Sequence, residues 1–310
     1  MITYEKFQKR LLSRLEAKLG EDFLIQTRQV IKNNGLILDG ICIIKKGSAV
    51  SPTFYANYLY EEYCRGRSLR MILSHMLETV QTDSLLKDLD PETFTRLDLI
   101  RDHILCRLIN TERNAALLSR IPHLPFLDMS IVFYLSLGAE DPTELTSLIE
   151  NSLFDQWNLS AEELFSLALA NTGHLLPPVI RPIREVLESI AEATSIPVPI
   201  SDGCPEERLY VCSNARSRFG AATLLFPDTL KAFADAHACD LVILPSSIHE
   251  LILCPLPLAY STGELYQIVR EVNRTEVAPE EVLSDSVYVY RRGEDHIREL
   301  QAVRLFRPEA

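Results

Sequence analysis

A short polar segment between two apolar runs is the first place where this sequence could do chemistry. It contains Ser246, Ser247, His249 and Glu250 and directly follows Pro245. Residues two apart in an extended segment point to the same side, so Ser247 and His249 face the same way. A hydroxyl beside an imidazole can act as nucleophile and general base, which makes Ser246 or Ser247 with His249 the candidate catalytic residues. A simple turn, in which His249 satisfies backbone groups, fits the pattern better, because catalytic groups are defined by three-dimensional geometry.

A second polar segment, Asn273-Arg274-Thr275, ends one predicted helix and precedes another helix start. The Arg274 guanidinium could hold a carboxylate or a phosphate through paired hydrogen bonds. Arg274 is therefore a candidate binding residue, together with Asn273, Thr275 and Glu250. An ion pair with a nearby carboxylate fits better, since a charged run usually forms a solvated surface. The available partners are Glu276, Glu280 and Glu281.

Motifs for cofactors and metals are missing from the sequence. Neither phosphate-binding glycine pattern, G-x-x-x-x-G-K-[ST] or G-x-G-x-x-G, occurs, and the serine hydrolase pattern G-x-S-x-G is also missing. His249-Glu250 begins an H-E-x-x-H motif, but Leu253 stands at the second histidine position. The other histidines are not spaced as zinc ligands. We therefore expect no cofactor and no metal site.

The net charge and the short length of the apolar runs limit the binding partners and the cellular location that can be expected. The formal net charge is −12, which disfavours nucleic acids and anionic membranes because both would repel the protein. No signal peptide is recognisable at the N-terminus, and no apolar run approaches the roughly 20 residues of a membrane span. The seven cysteines are scattered, as in a protein with reduced thiols. These features predict a cytoplasmic protein that does not enter a membrane.

The first part of the chain is predicted to open with a helix and a β-hairpin. Apolar residues recur at helical spacing over 3–19, and two β-like runs flank Asn33-Asn34-Gly35, a strong hairpin turn signal. Ser160 and Glu163 form a capping-box pattern that begins a later helix. The other expected features are strands at 23–31, 36–44 and 129–137, helices at 54–65, 67–81 and 182–193, a mostly helical segment at 90–108 with a strand possible at its end, and a break at 121–125.

The second part of the chain follows a proline-rich segment at 194–207, which is the best linker candidate. It separates an N-terminal α+β region, 1–195, from a C-terminal α/β region, 206–310, with one continuous domain as the alternative. The C-terminal region is predicted to form a strand-helix-strand-strand-helix unit. Because strands and helices do not alternate strictly, we predict an α+β fold with mixed or antiparallel sheets. The expected elements include strands at 209–212, 221–226, 240–244, 251–256 and 286–290, helices from Pro227 and Ser261, and a helical turn from Ala278.

Five ordered segments resemble an uncharacterised family of Gram-positive gut anaerobes, catalogued as domain of unknown function 5688. They are KNNGLILDG at 32–40, IPHLPFLD at 121–128, ANT with LLP at 170–177, LPSSIHE at 244–250, and EVNRTEVAPEEVLSD at 271–285. The resemblance spans nearly the whole chain. It implies no catalytic residue or ligand, but both polar segments described above belong to its motifs. It also implies a link to mobile genetic elements.

Three functions remain open from the sequence. The first is a non-catalytic binding or protein-interaction module, with a protein partner or self-association through an apolar stretch such as 253–260. The second is a hydrolase or transferase that uses Ser246 or Ser247 with His249. The third is a mobile-element or nucleic-acid-associated factor, which would need a basic face within an acidic total.

Overall fold

Helices pack on three antiparallel sheets in this protein. The computed structural model describes residues 2–46, 51–82, 95–137, 145–194, 209–257 and 260–300. Every strand pair in these ranges is antiparallel, which confirms the predicted α+β class. None of the helices found there is long and apolar enough to cross a membrane.

The N-terminal unit is a helix-covered β-hairpin, as the sequence predicted. The buried residues Phe7, Leu11 and Leu15 lie on one face of the first helix and pack with Ile41 and Ile43 of the hairpin. The turn at 33–35 reverses the chain through left-handed backbone conformations. A short strand before the second helix was not predicted. The elements are α1 (Tyr4–Leu19), β1 (Phe23–Ile31), β2 (Ile37–Lys45), β3 (Thr53–Tyr55), α2 (Ala56–Cys64) and α3 (Leu69–Thr82).

A four-stranded sheet occupies the middle of the chain, contains the strand that was left possible at the end of segment 90–108, and corrects one prediction. The segment expected to be mostly helical is helical over Leu97–Ile100 and, as a 3-10 turn, over Arg101–His103, and then becomes a strand; its residues 90–94 lie outside the described ranges. A run buried on both faces shows no clear period, so a strand there resembles a helix. The expected break at 121–125 contains an edge strand, where Pro125 is tolerated. The elements are α4 (Leu97–Ile100), β4 (Ile104–Asn110), α5 (Ala115–Leu118), β5 (His123–Phe126), β6 (Met129–Leu137), β7 (Leu145–Leu148), α6 (Asn151–Phe154) and α7 (Ala161–Leu175).

A six-stranded sheet with the order β13-β12-β10-β11-β9-β8 contains the C-terminal unit. The expected strand at 221–226 is wrong, because Gly220–Leu225 forms a 3-10 helix whose Ala221 N–H donates to the Ile248 carbonyl. The segment from Ala278 is a single turn. The elements are β8 (Pro178–Pro182), α8 (Ile183–Thr194), β9 (Tyr210–Asn214), α9 (Pro227–His237), β10 (Leu241–Leu244), β11 (Leu251–Pro255), α10 (Thr262–Thr275), β12 (Tyr288–Arg291) and β13 (His296–Glu299).

The hydrophobic cores do not follow the predicted division of the chain. One core lies entirely within the N-terminal unit, while the largest core draws buried residues from Ile100 to Tyr290. Strand β8 comes before the linker candidate, yet it pairs with β9, which comes after it. This pairing favours one continuous domain beyond residue 95. The boundary at 195–206 stays a prediction, because most of that segment lies outside the described ranges.

Candidate functional site

The serines of the predicted catalytic segment build a turn between β10 and β11. The N–H of Ser247 donates to the Glu250 carbonyl at 3.2 Å, and the N–H of Ser246 donates to the Leu244 carbonyl at 3.1 Å. The buried Ser247 Oγ accepts the backbone N–H of His249 at 3.0 Å. Ser247 therefore stabilises the turn with its side chain as well as its backbone.

The imidazole of His249 has partners other than the serine hydroxyls. Its Nδ1 accepts the backbone N–H of Phe219 at 3.1 Å, and its Nε2 lies 3.4 Å from Glu281 Oε1. The ring stacks on Phe219 with centroids 5.5 Å apart and planes 17° apart. No hydrogen bond joins the ring to Ser246 or Ser247, all of which lie within the described chain. His249 therefore holds Phe219 in position through one hydrogen bond and one ring contact.

The electrostatic surroundings keep His249 neutral. Burial lowers the pKa of its imidazole, Glu281 opposes the shift, and Arg107 and Arg218 add to it. Nδ1 can accept the Phe219 N–H only when it carries no proton, so the hydrogen bond requires the neutral ring. Burial also raises the pKa of Glu250, and the nearby Glu281 carboxylate raises it further. Two carboxylates and one neutral imidazole therefore lie side by side at this turn.

The backbone that contacts His249 is strained at Phe219 and closely packed at Gly220. Phe219 has φ of 54°, a left-handed conformation that is costly for a bulky side chain. The following residue must be glycine, since a Cβ at Gly220 would lie 2.1 Å from Ser213 Oγ and 2.4 Å from the His249 carbonyl oxygen. This tight approach, together with the ring stacking, holds the Phe219 ring in one place.

The predicted binding residues separate into different environments. Asn273 is buried and its Nδ2 donates to the Ser284 carbonyl at 2.8 Å and to Asp285 Oδ1 at 2.9 Å. Thr275 Oγ1 donates to the Glu271 carbonyl within the helix at 3.0 Å. Arg274 is exposed, and within the described chain it forms no ion pair with the glutamates expected as partners. Asn273 and Thr275 therefore stabilise local structure, while Arg274 lies on the surface.

The two polar segments do meet, although not through Arg274. The N–H of Ile248 donates to the Glu281 carbonyl at 2.8 Å, next to the contact between His249 and the Glu281 side chain. The same stretch, 278–285, receives Asn273 and the hairpin tip: Asn34 Nδ2 donates to the Pro279 and Val282 carbonyls. The family-like motifs thus converge on residues 278–285 and anchor it.

Arg107, which was not predicted from the sequence, carries a buried positive charge. It lies on β4 with its guanidinium 4.4 Å from the Phe219 ring centroid and 5.8 Å from that of Tyr134. Its Nε is buried without a hydrogen-bond partner. Burial lowers the pKa of the guanidinium to about 10, an effect that Tyr134 opposes and Arg218 strengthens. In the described part of the chain, no carboxylate lies within ion-pair distance of it.

A cleft of about 570 Å³ opens in front of Arg107. Its walls are the end of β1, helix α5 with the residues that follow it, and β7. The cations Arg28, Lys32, Arg107 and Arg120 line this space, against the single acidic residue Glu150, which is paired with Arg120 at 3.2 Å. We call this space the Arg107 cleft. It is a concentration of positive charge on a chain whose formal net charge is −12.

One sequence signal could have identified Arg107. The residue interrupts the apolar run Leu105-Cys106-Arg107-Leu108-Ile109, and a charge in the middle of a buried strand needs a reason. The signal was lost because the segment was predicted to be mostly helical, where a charge on one face is ordinary. Arg28, Lys32 and Arg120 carry no such signal, since only the tertiary fold brings them to Arg107.

Comparison with known proteins adds a family but no activity. Within the described ranges, no three His, Cys, Asp or Glu side chains are grouped as a metal site requires. Searches of curated proteins and of solved structures returned no significant match. A family model described as a family of unknown function matches residues 4–292, and the chain therefore belongs to that family, DUF5688.

Proposed function

We propose that this protein is a non-catalytic binding module and that the Arg107 cleft holds an anionic ligand. The observation that carries the proposal is Arg107 itself, a buried guanidinium with an unpartnered Nε and no carboxylate nearby among the residues that the structure describes. A buried charge without a counter-charge is costly, and a bound anion would remove that cost. Guanidinium groups bind carboxylates and phosphates through paired hydrogen bonds, so either chemistry suits the cleft.

The shape and charge of the cleft support the same conclusion. Its volume of about 570 Å³ lies in the range of small-molecule and peptide sites. Four cations face one acidic residue, and that residue is already paired. Phe219 and Tyr134 form an aromatic support beneath the guanidinium of Arg107, which restricts its motion. A preorganised cation loses little conformational entropy when the ligand arrives.

The competing functions fit the geometry less well. A hydrolase would need His249 to reach a serine hydroxyl, but both ring nitrogens face other groups and Ser247 Oγ accepts a backbone N–H. A nucleic-acid factor would need an extended basic surface, whereas Arg28, Lys32, Arg107 and Arg120 lie together within a single cleft. The cytoplasmic location predicted from the sequence is part of the proposal, since reduced thiols suit it.

Titration calorimetry with inorganic tripolyphosphate at low salt tests the proposal. Arg107→Gln should weaken tripolyphosphate binding by about 10- to 100-fold, because a hydrogen bond to a charged group contributes roughly 1.5–3 kcal/mol. Arg14→Gln makes the same charge change on the exposed face of α1 and is the matched control. It should bind like the unaltered protein.

Two results would overturn the proposal. One is equal binding by the unaltered protein and Arg107→Gln. The other is a loss of binding in Arg274→Gln with none in Arg107→Gln, because that would move the anion site to the segment suggested by the sequence.

A further inference from the structure

Strand β1 has a free edge beside the Arg107 cleft. It is nine residues long and pairs with β2 on one side only. The Lys32 N–H donates to the Leu36 carbonyl, and the Lys46 N–H donates to the Asp22 carbonyl, so the even-numbered residues exchange hydrogen bonds with β2. Because antiparallel pairs alternate, the N–H groups of Thr27, Gln29 and Ile31 point away from the sheet. No backbone partner in the described ranges occupies this edge.

The opposite wall of the cleft has a second free edge. Among the strands of the described ranges, β7 pairs with β6 alone, and the Ile149 N–H donates to the Phe133 carbonyl. The same alternation then directs the N–H groups of Thr146 and Leu148 outward. Gln29, Ile31, Thr146 and Leu148 all line the cleft. Backbone donors that have no partner in the described part of the chain therefore border the cationic space on two sides.

The cations follow the β1 edge with the spacing of a strand. Arg28 and Lys32 are four residues apart on the same face, which corresponds to about 13 Å along an extended chain. The Lys32 ammonium lies 4.3 Å from the centroid of the Tyr55 ring, and no carboxylate of the described chain pairs with it or with Arg28. Acidic side chains at alternate positions of an added strand would project toward these cations and toward Arg107.

We propose that the ligand of the Arg107 cleft is an acidic polypeptide segment that adds to the free edge of β1 as an extended strand. The proposal rests on the proposed function and names its partner. Backbone hydrogen bonds to Gln29 and Ile31 would give affinity, and carboxylates facing Arg28, Lys32 and Arg107 would give selectivity. A second copy of this chain fits less well, since pairing β1 with β1 brings the cations of one edge close to those of the other.

Fluorescence anisotropy with a labelled decapeptide of alternating Glu and Val tests the strand addition. A matched peptide is N-methylated at its four central residues, which keeps the charge but removes hydrogen-bond donors from both of its edges. We expect the N-methylated peptide to bind at least 10-fold more weakly. The unmodified peptide should also be displaced by tripolyphosphate and weakened by Arg107→Gln.

A variant of the protein gives an independent test. Proline at position 29 removes an outward N–H without removing a hydrogen bond to β2, so the fold should tolerate it, and Gln29→Ala is the control. Gln29→Pro should bind the peptide more weakly than Gln29→Ala does, while the two variants should bind tripolyphosphate equally. Circular dichroism with thermal unfolding confirms that both variants are folded.

The failures are distinguishable. Three results would each overturn strand addition and leave the anion site intact. The first is equal binding of the two peptides, and the second is equally tight binding of a single-stranded RNA of the same charge. The third is that tripolyphosphate binds but the peptide does not. If neither peptide nor tripolyphosphate responds to Arg107→Gln, the proposed function itself is overturned.

Discussion

Arg107 and His249 both contact the Phe219 ring, one as a cation and the other as a neutral imidazole. Arg107 lies over the ring, and His249 stacks against it while accepting the Phe219 N–H. Burial lowers the pKa of His249 and Arg107 lowers it further, so the imidazole stays neutral beside the cationic cleft. His249 is thus a positioning residue for the support of Arg107, even though the sequence pattern suggested a catalytic base.

The neutral state of His249 makes stability depend on pH. Its pKa is lowered on folding, so its contribution is fully present above about pH 6.5, the unperturbed value, and is lost as the pH falls through the lowered pKa. Glu250 has a raised pKa and acts in the opposite sense, so only a difference between variants isolates the histidine. His249→Asn keeps an acceptor near the Nδ1 position but cannot titrate.

Urea unfolding at pH 7.5 and pH 5 measures this effect. The unaltered protein should lose more unfolding free energy between the two pH values than His249→Asn does. An equal loss of unfolding free energy in both proteins would contradict this prediction, because folding would then leave the pKa of His249 unchanged.

At the scale of elements, the 3-10 helix Gly220–Leu225 sets the position of the Phe219 ring. It replaces a strand that the apolar sequence predicted, because Gly220 approaches the backbone of the Ser247–Glu250 turn so closely. The Ala221 N–H then donates to the Ile248 carbonyl at 3.2 Å. The element is therefore determined by its contact with a distant turn and not by its own propensity.

A methyl group at Gly220 should disrupt this contact. Gly220→Ala would place a Cβ 2.1 Å from Ser213 Oγ and 2.4 Å from a carbonyl oxygen, so we expect the unfolding free energy to fall by about 1–3 kcal/mol or more. Gly263→Ala, in helix α10, has nothing within 4 Å and should be neutral or stabilising by about 0.4–1 kcal/mol. Urea unfolding of both variants checks the prediction, and equal stability of the two would contradict it.

Elements with local signals were predictable from the sequence. The capping box at Ser160, the helix start at Ser261 and the hairpin turn at 33–35 are confirmed. At both serines, side chains three residues apart satisfy the backbone at the start of the helix. The 3-10 helix was misassigned as a strand, and β4 was predicted only as a possible end of a helical segment, because burial on both faces hides the period. Strand β13 was missed since its sequence, HIRE, is mostly polar.

The candidate site likewise depends on contacts between residues that are distant in sequence. The turn of Ser247 and His249 was identified because its polar residues interrupt apolar strands, but their partners, Phe219 and Glu281, are distant in sequence. The cleft requires β1, β4 and β7 to come together, and no local pattern encodes that meeting. The sequence therefore identified the polar turn correctly but predicted the wrong side-chain contacts for its residues.

At the scale of the whole molecule, the cleft lies where the N-terminal unit meets the larger core. The hairpin tip carries the connection: Asn33 Nδ2 donates to the Glu280 carbonyl at 2.6 Å, and Asn34 and Asn114 exchange hydrogen bonds. Tyr58 adds a contact to the Glu280 side chain. These contacts tie the hairpin that carries β1 to the loop 278–285 and to Asn114.

The most direct measurement of the central claim follows the Nε–Hε resonance of Arg107 by NMR during a titration with tripolyphosphate. Arg107→Gln assigns the resonance, which should be distinct because the group is buried and lies over an aromatic ring. The account predicts a saturable shift of this resonance, while the resonance of Arg274 stays in place. A saturable shift of Arg274 with no change at Arg107 would contradict it.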